Sequence, residues 1–405
     1  MLTGRRFVAG LVASALLIAG CERPAADRGQ QQIRPDWRVV TLPMPAGPDG
    51  RPMLRDAVTC AGRWYLVGAI GGVDGATRPA AWTSADARNW DAVRLVPNSY
   101  YGERAILYAV GCRQGRIAVI GAKAGGAHGN PRVRTWRQLP DGALVEVSAA
   151  FELYGGPAAV NVSRVAGGPD GWLIAGGRES GAAVWRSPDA ADFQLVENAP
   201  RLASDVELRT SATDALAVDD GWLVGGSGRA PGRADHDPFV WWSPDGSTWN
   251  RIPLPATGSD EAVHRLVRVG DAVLALGARG TTFGAWRLAD PTAGGGPAVR
   301  GGAAAGDGWR AAAGFGVADA GMIAGVEAVA TYDDRVLAAT VAAEGHRLWT
   351  SDATAERWSP VALPVAVPAG GETAASIAAT SGQVVMVTDD GRESRAWQAV
   401  LSSTF

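Results

Sequence analysis

Gly171-Trp172-Leu173-Ile174-Ala175-Gly176-Gly177 and, fifty residues on, Gly221-Trp222-Leu223-Val224-Gly225-Gly226 are two copies of one short strand, opened by a turn glycine and closed by glycines. A run this short and this apolar is what a strand buried on both faces looks like. Weaker copies are Arg63-Trp64-Tyr65-Leu66-Val67-Gly68, Gly115-Arg116-Ile117-Ala118-Val119-Ile120-Gly121 and Asp271-Ala272-Val273-Leu274-Ala275-Leu276-Gly277.

Each copy is followed by a tryptophan preceded by small or apolar residues. Trp82, Trp136, Trp185, Trp241, Trp286, Trp349 and Trp397 form a series with gaps of 54, 49, 56, 45, 63 and 48 residues. After most markers comes a polar turn and then a second aromatic heading an alternating strand, as in Trp90-Asp91-Ala92-Val93-Arg94-Leu95 and Trp249-Asn250-Arg251-Ile252-Pro253-Leu254. Seven markers about fifty residues apart, with four strands per unit, predict an all-β, seven-bladed β-propeller of four-stranded antiparallel blades. The last unit stops soon after its third strand. Asp36-Trp37-Arg38-Val39-Val40-Thr41-Leu42-Pro43 copies the missing fourth. The last blade is therefore expected to be closed by the N-terminal strand, which removes two sheet edges. The indoles themselves read as packing between blades.

The 405 residues are 47% hydrophobic and 20% charged, which excludes a disordered chain and a polytopic membrane protein. The formal charge is -3, and about -5 once Arg5 and Arg6 are removed with a leader (36 basic against 41 acidic residues). That balance argues against nucleic acid as a partner.

Residues 1–21 read as a secretory leader. Arg5 and Arg6 precede the apolar run Phe7 to Ile18, which is too short to span a bilayer comfortably. Leu17-Ile18-Ala19-Gly20-Cys21 resembles a bacterial lipobox. The resemblance implies lipidation of Cys21, a membrane partner through that lipid, and a location on the extracytoplasmic side of the cell membrane. Residues 22–35 are polar and read as a flexible tether, leaving 36–405 as the propeller.

Ser243-Pro244-Asp245-Gly246-Ser247-Thr248-Trp249 lies between third and fourth strands. Ser84 and Asp86 before Trp90, Ser187 and Asp189 before Phe193, and Ser351 and Asp352 before Trp358 repeat the theme. These turns resemble the Asp-box, or BNR-type, repeats of sialidase-like propellers. The resemblance implies structural turns on the outer rim, away from any catalytic centre, with Gly246 supplying positive φ.

Cys60 and Cys112 occupy matching places at the ends of innermost strands in the first two units. An oxidising compartment allows them to pair; two buried free thiols are the alternative. No two of His128, His236, His264 and His346 have metal-ligand spacing, and the sequence implies no metal and no cofactor.

Function is expected on the face shared by the fourth-to-first and second-to-third strand loops, around the channel mouth. The candidate binding residues there are Asp74, Arg78, Tyr100, Tyr101, Glu103, Arg104, His128, Tyr154, Arg178, Glu179, Asp235, His236 and Asp237. Tyrosines among arginines and carboxylates suit a protein or glycan partner. The leading reading is a monomeric, non-catalytic binding or scaffold protein at the cell envelope. A sialidase-like glycoside hydrolase is the alternative. It would need an arginine cluster, a tyrosine paired with a glutamate, and an acid/base aspartate. The family's arginine motif is not found near the first blade, where Arg51-Pro52 and Arg55-Asp56 are its nearest echoes, and no complete catalytic motif is present.

Overall fold

The computed structural model describes residues 32–125, 131–288, 308–318 and 324–401. Seven sheets follow one another along the chain, each running from the innermost strand outward, and the seventh takes its outer strand from the N-terminal segment. Blade 1 comprises Arg51–Cys60, Arg63–Gly71, Thr77–Ser84 and Trp90–Ala92. Blade 2 comprises Ile106–Arg113, Arg116–Lys123, Arg132–Gln138 and Leu144–Val147. Blade 3 comprises Ala159–Gly168, Gly171–Arg178, Gly181–Ser187 and Gln194–Val196. Blade 4 comprises Arg209–Val218, Gly221–Arg229, Asp237–Ser243 and Asn250–Pro253. Blade 5 comprises Glu261–Val269, Ala272–Arg279, Thr282–Leu288 and Trp309–Ala311. Blade 6 comprises Gly325–Tyr332, Arg335–Ala342, Gly345–Asp352 and Ser359–Val361.

Blade 7 holds Ala374–Thr380, Gln383–Asp389 and Ser394–Val400, and its outer strand is Arg38–Val40, antiparallel with Val39 opposite Trp397. The N-terminal strand thus closes the ring. Just before it, Ile33 forms a parallel bridge to Val361 of blade 6, and the Trp37 indole donates to the Ala362 carbonyl at 2.8 Å. Ile33 lies in the stretch expected to be free tether. It is paired because its side chain packs on the cluster between blades 6 and 7.

The second strands are buried on both faces because alternate residues serve opposite neighbours. In blade 1, Trp64 and Leu66 join Val385 and Val387 of blade 7, while Tyr65 and Val67 join Val119 and Trp136 of blade 2. One such cluster fills each of the seven blade-to-blade interfaces. Burial at about 25 cal/mol per Å² makes these interfaces the main support of the ring.

Two local departures follow from packing. The outer strand of blade 1 ends at Ala92, and Leu95–Val96 instead pairs parallel with Leu144–Val147, where Leu95 reaches the cluster between blades 1 and 2. Phe151–Tyr154 forms one helical turn in the loop entering blade 3. Cys60 and Cys112 are joined by a disulfide, with Cα atoms 5.4 Å apart on neighbouring inner strands.

The third-to-fourth strand turns share one geometry. Asp245 accepts the amides of Ser247 and Thr248, both at 2.8 Å, and Ser243 Oγ accepts that of Gly246 at 2.8 Å. Asp86 accepts the Arg88 and Asn89 amides, and Asp189 that of Ala191. Gly246 is left-handed at φ +71°, and Ala87, Ala190 and Ala355 adopt the same conformation in the other turns.

Candidate functional site

Six inner strands bulge at the same place. The residues there form the pairs Arg55-Asp56, Tyr108-Ala109, Ser163-Arg164, Thr213-Asp214, His264-Arg265 and Glu327-Ala328, and Ala375-Ser376 holds the place in blade 7. The second member of each pair lies eight residues before Trp64, Ile117, Trp172, Trp222, Val273, Val336 and Val384 respectively. A bulge turns an extra side chain away from the sheet. Here, the ring of bulges borders an open cavity of about 470 Å³ walled by Arg55, Tyr108, Ser163, Arg164, Thr213, His264, Arg265 and Glu327. Ala324 and Thr373, just ahead of their inner strands, also line it, so it opens at the end where those strands begin.

Hydrogen bonds run around and across this ring. Asp56 accepts the Val110 amide at 3.0 Å, Ser376 Oγ at 2.7 Å and Arg164 Nη1 at 2.7 Å, joining four blades through one buried carboxylate. Asp214 accepts the Leu266 amide at 2.9 Å. The Thr213 hydroxyl donates to the Val263 carbonyl at 2.7 Å. The Glu327 carbonyl collects two guanidinium groups, Arg164 from across the channel at 2.9 Å and Arg265 from the neighbouring blade. Arg55 Nη1 lies 2.7 Å from Asp389 Oδ2.

His264 Nδ1 accepts the Val326 amide at 3.1 Å, so that nitrogen is bare and Nε2 carries the proton. Burial, then the Arg265 charge, push this imidazole down to about 4, and it is neutral at physiological pH. Burial and the charge of Arg164 likewise push Arg265 down to about 10. Both shifts come first from burial, with a neighbouring arginine adding to it and nearby carboxylates opposing it. The cavity can therefore offer guanidinium groups and a neutral N–H to a ligand. It lacks an activated nucleophile among the described residues. The Tyr108 hydroxyl donates to the Val162 carbonyl at 2.6 Å, and burial raises its pKa above the ordinary phenol. Ser163 Oγ accepts from Asn161 Nδ2 at 2.7 Å.

The loop residues singled out from sequence divide into three groups. Tyr100 is exposed and carries the Arg104 guanidinium 4.0 Å above its ring; Arg104 also pairs with Glu103, and Tyr101 packs edge-on to Tyr100. Glu179 is exposed. Asp74 shapes its own turn, accepting the Ala76 amide at 3.0 Å. His236 pairs with Asp260 at 2.8 Å and Asp237 with Arg233 at 2.7 Å, beside half-buried Asp235. Among the described residues no group of His, Cys, Asp and Glu is arranged to hold a metal ion.

The second group is internal. Tyr154 is buried against Trp185, its hydroxyl 3.4 Å from Thr135 Oγ1, because the helical turn before it folds the ring inward. Arg178 is buried and spends its guanidinium on Gly155 O and Glu197. Arg78 is spent on the carbonyls of Pro45, Ala46 and Pro48. These three hold loops in place and do not present a binding surface. The third group, His128 and Cys21, lies outside the described residues.

The channel residues escaped the loop-based reading because they sit inside strands. Arg55, taken as a poor echo of an arginine motif, is one of them. The signal that could have found them is the eight-residue spacing: a polar pair interrupts most inner strands at the same phase of the repeat.

No family model matches the chain, and no curated protein matches it either. Solved structures do. The β-propeller domain of Swd1 from Myceliophteria thermophila is 12% identical with a TM-score of 0.51, covering 90% of this chain and 100% of that one. The β-propeller domain of the Trilobed protease from Pyrococcus furiosus is 12% identical with a TM-score of 0.50, covering 88% and 97%. A Trypanosoma rangeli sialidase is 11% identical with a TM-score of 0.43, covering 91% of this chain and 58% of the longer sialidase chain. What this chain shares with the two propeller domains is the fold.

Proposed function

We propose that this chain is a lipid-anchored, extracytoplasmic binding propeller that receives an anionic group of a protein or glycan partner in its axial cavity. The observation that supports this reading is the convergence of Arg55, Arg164, Arg265 and the neutral His264 N–H on one open cavity at the channel mouth. A carboxylate or sulfate there would meet charge-assisted donors in a site of ordinary ligand size. Exposed Tyr100 and half-buried Arg104 lie in the loop entering blade 2, at the same end, and suit contact with the rest of such a partner. The leader-like segment and Cys21 supply the reason to place the protein at the membrane surface.

The sialidase-like alternative gains the arginine cluster it requires. Among the described residues it lacks the paired nucleophile, since the channel tyrosine gives its proton to a backbone carbonyl. Calorimetric titration with short carboxylates and sulfated or carboxylated sugars tests the reading. Binding is expected, with Arg164→Ala weakening it by roughly tenfold or more. Turnover of fluorogenic sialosides would revive the hydrolase; equal binding by the arginine variant would move the site elsewhere.

A further inference from the structure

His346 stands behind the cavity wall, nearly fully buried, at the start of the third strand of blade 6. Both of its ring nitrogens face acceptors. Nδ1 lies 3.1 Å from the Pro368 carbonyl and 3.3 Å from that of Val367, in the loop entering blade 7. Nε2 lies 2.8 Å from Glu327 Oε2. An imidazole between acceptors on both sides is satisfied only when it carries both protons. His264, one blade away, shows the opposite arrangement, with Nδ1 accepting. Half-buried His264 and buried His346, on either side of Glu327, are thus set toward different protonation states, His264 by the amide its Nδ1 accepts and His346 by carbonyls beside Nδ1 and the Glu327 carboxylate in ion-pair contact with Nε2.

Glu327 connects this imidazolium to the cavity. Its carboxylate pairs with His346 and also accepts the Ala375 amide at 3.4 Å. Its own carbonyl is the point where Arg164 and Arg265 meet. With His346 protonated, the Glu327 charge is matched from behind, and the lining arginines are opposed by Asp56, Asp214 and Asp389. Without that proton, a bare carboxylate stands in the wall of the same cavity.

We infer that the proton on His346 sets how tightly the axial cavity holds an anion, so that anion affinity falls as that proton is lost. The inference rests on the anion-binding reading given above. Burial disfavours the charged imidazole, but the Glu327 hydrogen bond and charge and the Val367 and Pro368 carbonyls outweigh it, raising His346 above the ordinary 6.5. The loss therefore falls on the alkaline side of that value. The other charged groups around the pair leave this window clear or can be separated from it. His264 has already lost its proton, and Arg265 keeps its own to about 10. Glu372 is exposed beside Arg55, and Glu344 and Arg347 pair in solvent on the strand's own hairpin. Asp214, raised by burial against the opposing charge of Arg265, faces blade 5 and not His346.

The test is titration of the full-length protein with sulfate, whose charge is constant across the range, at fixed ionic strength from about pH 6 to about pH 9. Affinity in the unaltered protein is expected to fall about fivefold or more. His346→Gln is expected to bind weakly and almost independently of pH, since Glu327 stays uncompensated throughout. Glu327→Gln is expected to bind more tightly than the unaltered protein at the alkaline end, with its remaining pH dependence moved toward acid. By reciprocity, sulfate should raise the His346 titration midpoint read by NMR.

A full alkaline fall retained in His346→Gln would assign the effect to a group other than His346 and overturn the inference. So would sulfate binding that is flat with pH and sensitive to Arg164→Ala, which leaves the anion-binding reading standing. Absence of sulfate binding at every pH would remove both.

Discussion

The aspartates of the outer turns and those of the inner ring are the same residue put to opposite uses. On the rim, Asp86, Asp189, Asp245 and Asp352 sit near solvent, accept backbone amides of their own turns, and are all held below the ordinary carboxylate range. On the axis, Asp214 is raised by burial against the opposing charge of Arg265, and Asp56 reaches donors on three other blades. The rim turns each keep an aspartate accepting amides of its own turn and one left-handed residue, because each solves the same local problem of closing a hairpin. The inner pairs repeat only in position. The same bulge carries arginine, tyrosine, serine, threonine, histidine or glutamate from blade to blade. A position kept by the repeat while its residues diverge is where a ring of similar blades can become one asymmetric site.

That contrast breaks most severely at Asp56. Replacing it with alanine strands the Val110 amide and the Ser376 hydroxyl and takes from part-buried Arg164 its only carboxylate among the described residues, leaving it the Glu327 carbonyl. Leaving a buried charge without its partner costs on the order of 3–5 kcal/mol. Denaturant unfolding of Asp56→Ala should show a loss of that order. A cost comparable with a rim substitution would mean that the inner network has no more structural weight than the turns.

The seven-blade fold was legible because its signals are local and copied: a two-face-buried strand, a tryptophan, a turn, an alternating strand. Closure was legible because Trp37 to Pro43 imitates an outer strand. The end of the channel was legible from connectivity. The residues in the cavity were not, since Arg55 or His264 inside a strand looks like an ordinary half-buried residue until the bulge register is known. Tyr154 and Arg178 misled for the converse reason. Loop position predicted exposure, but the turn at Phe151–Tyr154 and the Glu197 partner drew both side chains inward.

The marker indoles sharpen the comparison from inside the repeat. In blades 1, 3, 4 and 5 the indole N–H clamps the incoming loop, through the carbonyls of Pro43, Leu153, Arg201 and Pro255. In blades 6 and 7 it turns to Thr340 and Thr388 of the neighbouring strand. Trp136 of blade 2 has a buried N–H with no partner among the described residues, and the loop beside it is pinned instead by Glu146, which accepts the Asn98 and Ser99 amides at 2.6 and 2.9 Å. Trp185→Phe should therefore cost about 1 kcal/mol more than Trp136→Phe, the difference being one hydrogen bond and a stranded carbonyl. Equal losses in paired unfolding curves would reduce the markers to packing alone.

The smallest effect belongs to the rim. Burial pulls the pKa of Asp245 up, and the Thr248 and Ser247 amides with the Ser243 hydroxyl pull it further down, leaving it below 3.8 when folded. A group depressed in this way stabilises the fold above its unfolded pKa, and the contribution fades as pH falls through the folded value. Asp245→Asn keeps an oxygen for the amides and removes only the charge. Its cost, under about 1 kcal/mol for so exposed a carboxylate, should be present at neutral pH and vanish in acid, with anion binding untouched. A pH-independent cost would locate the turn's stability in its hydrogen-bond geometry instead of its charge. A change in anion binding would show that rim and axis are coupled through the blade, which the opposite behaviour of their aspartates argues against.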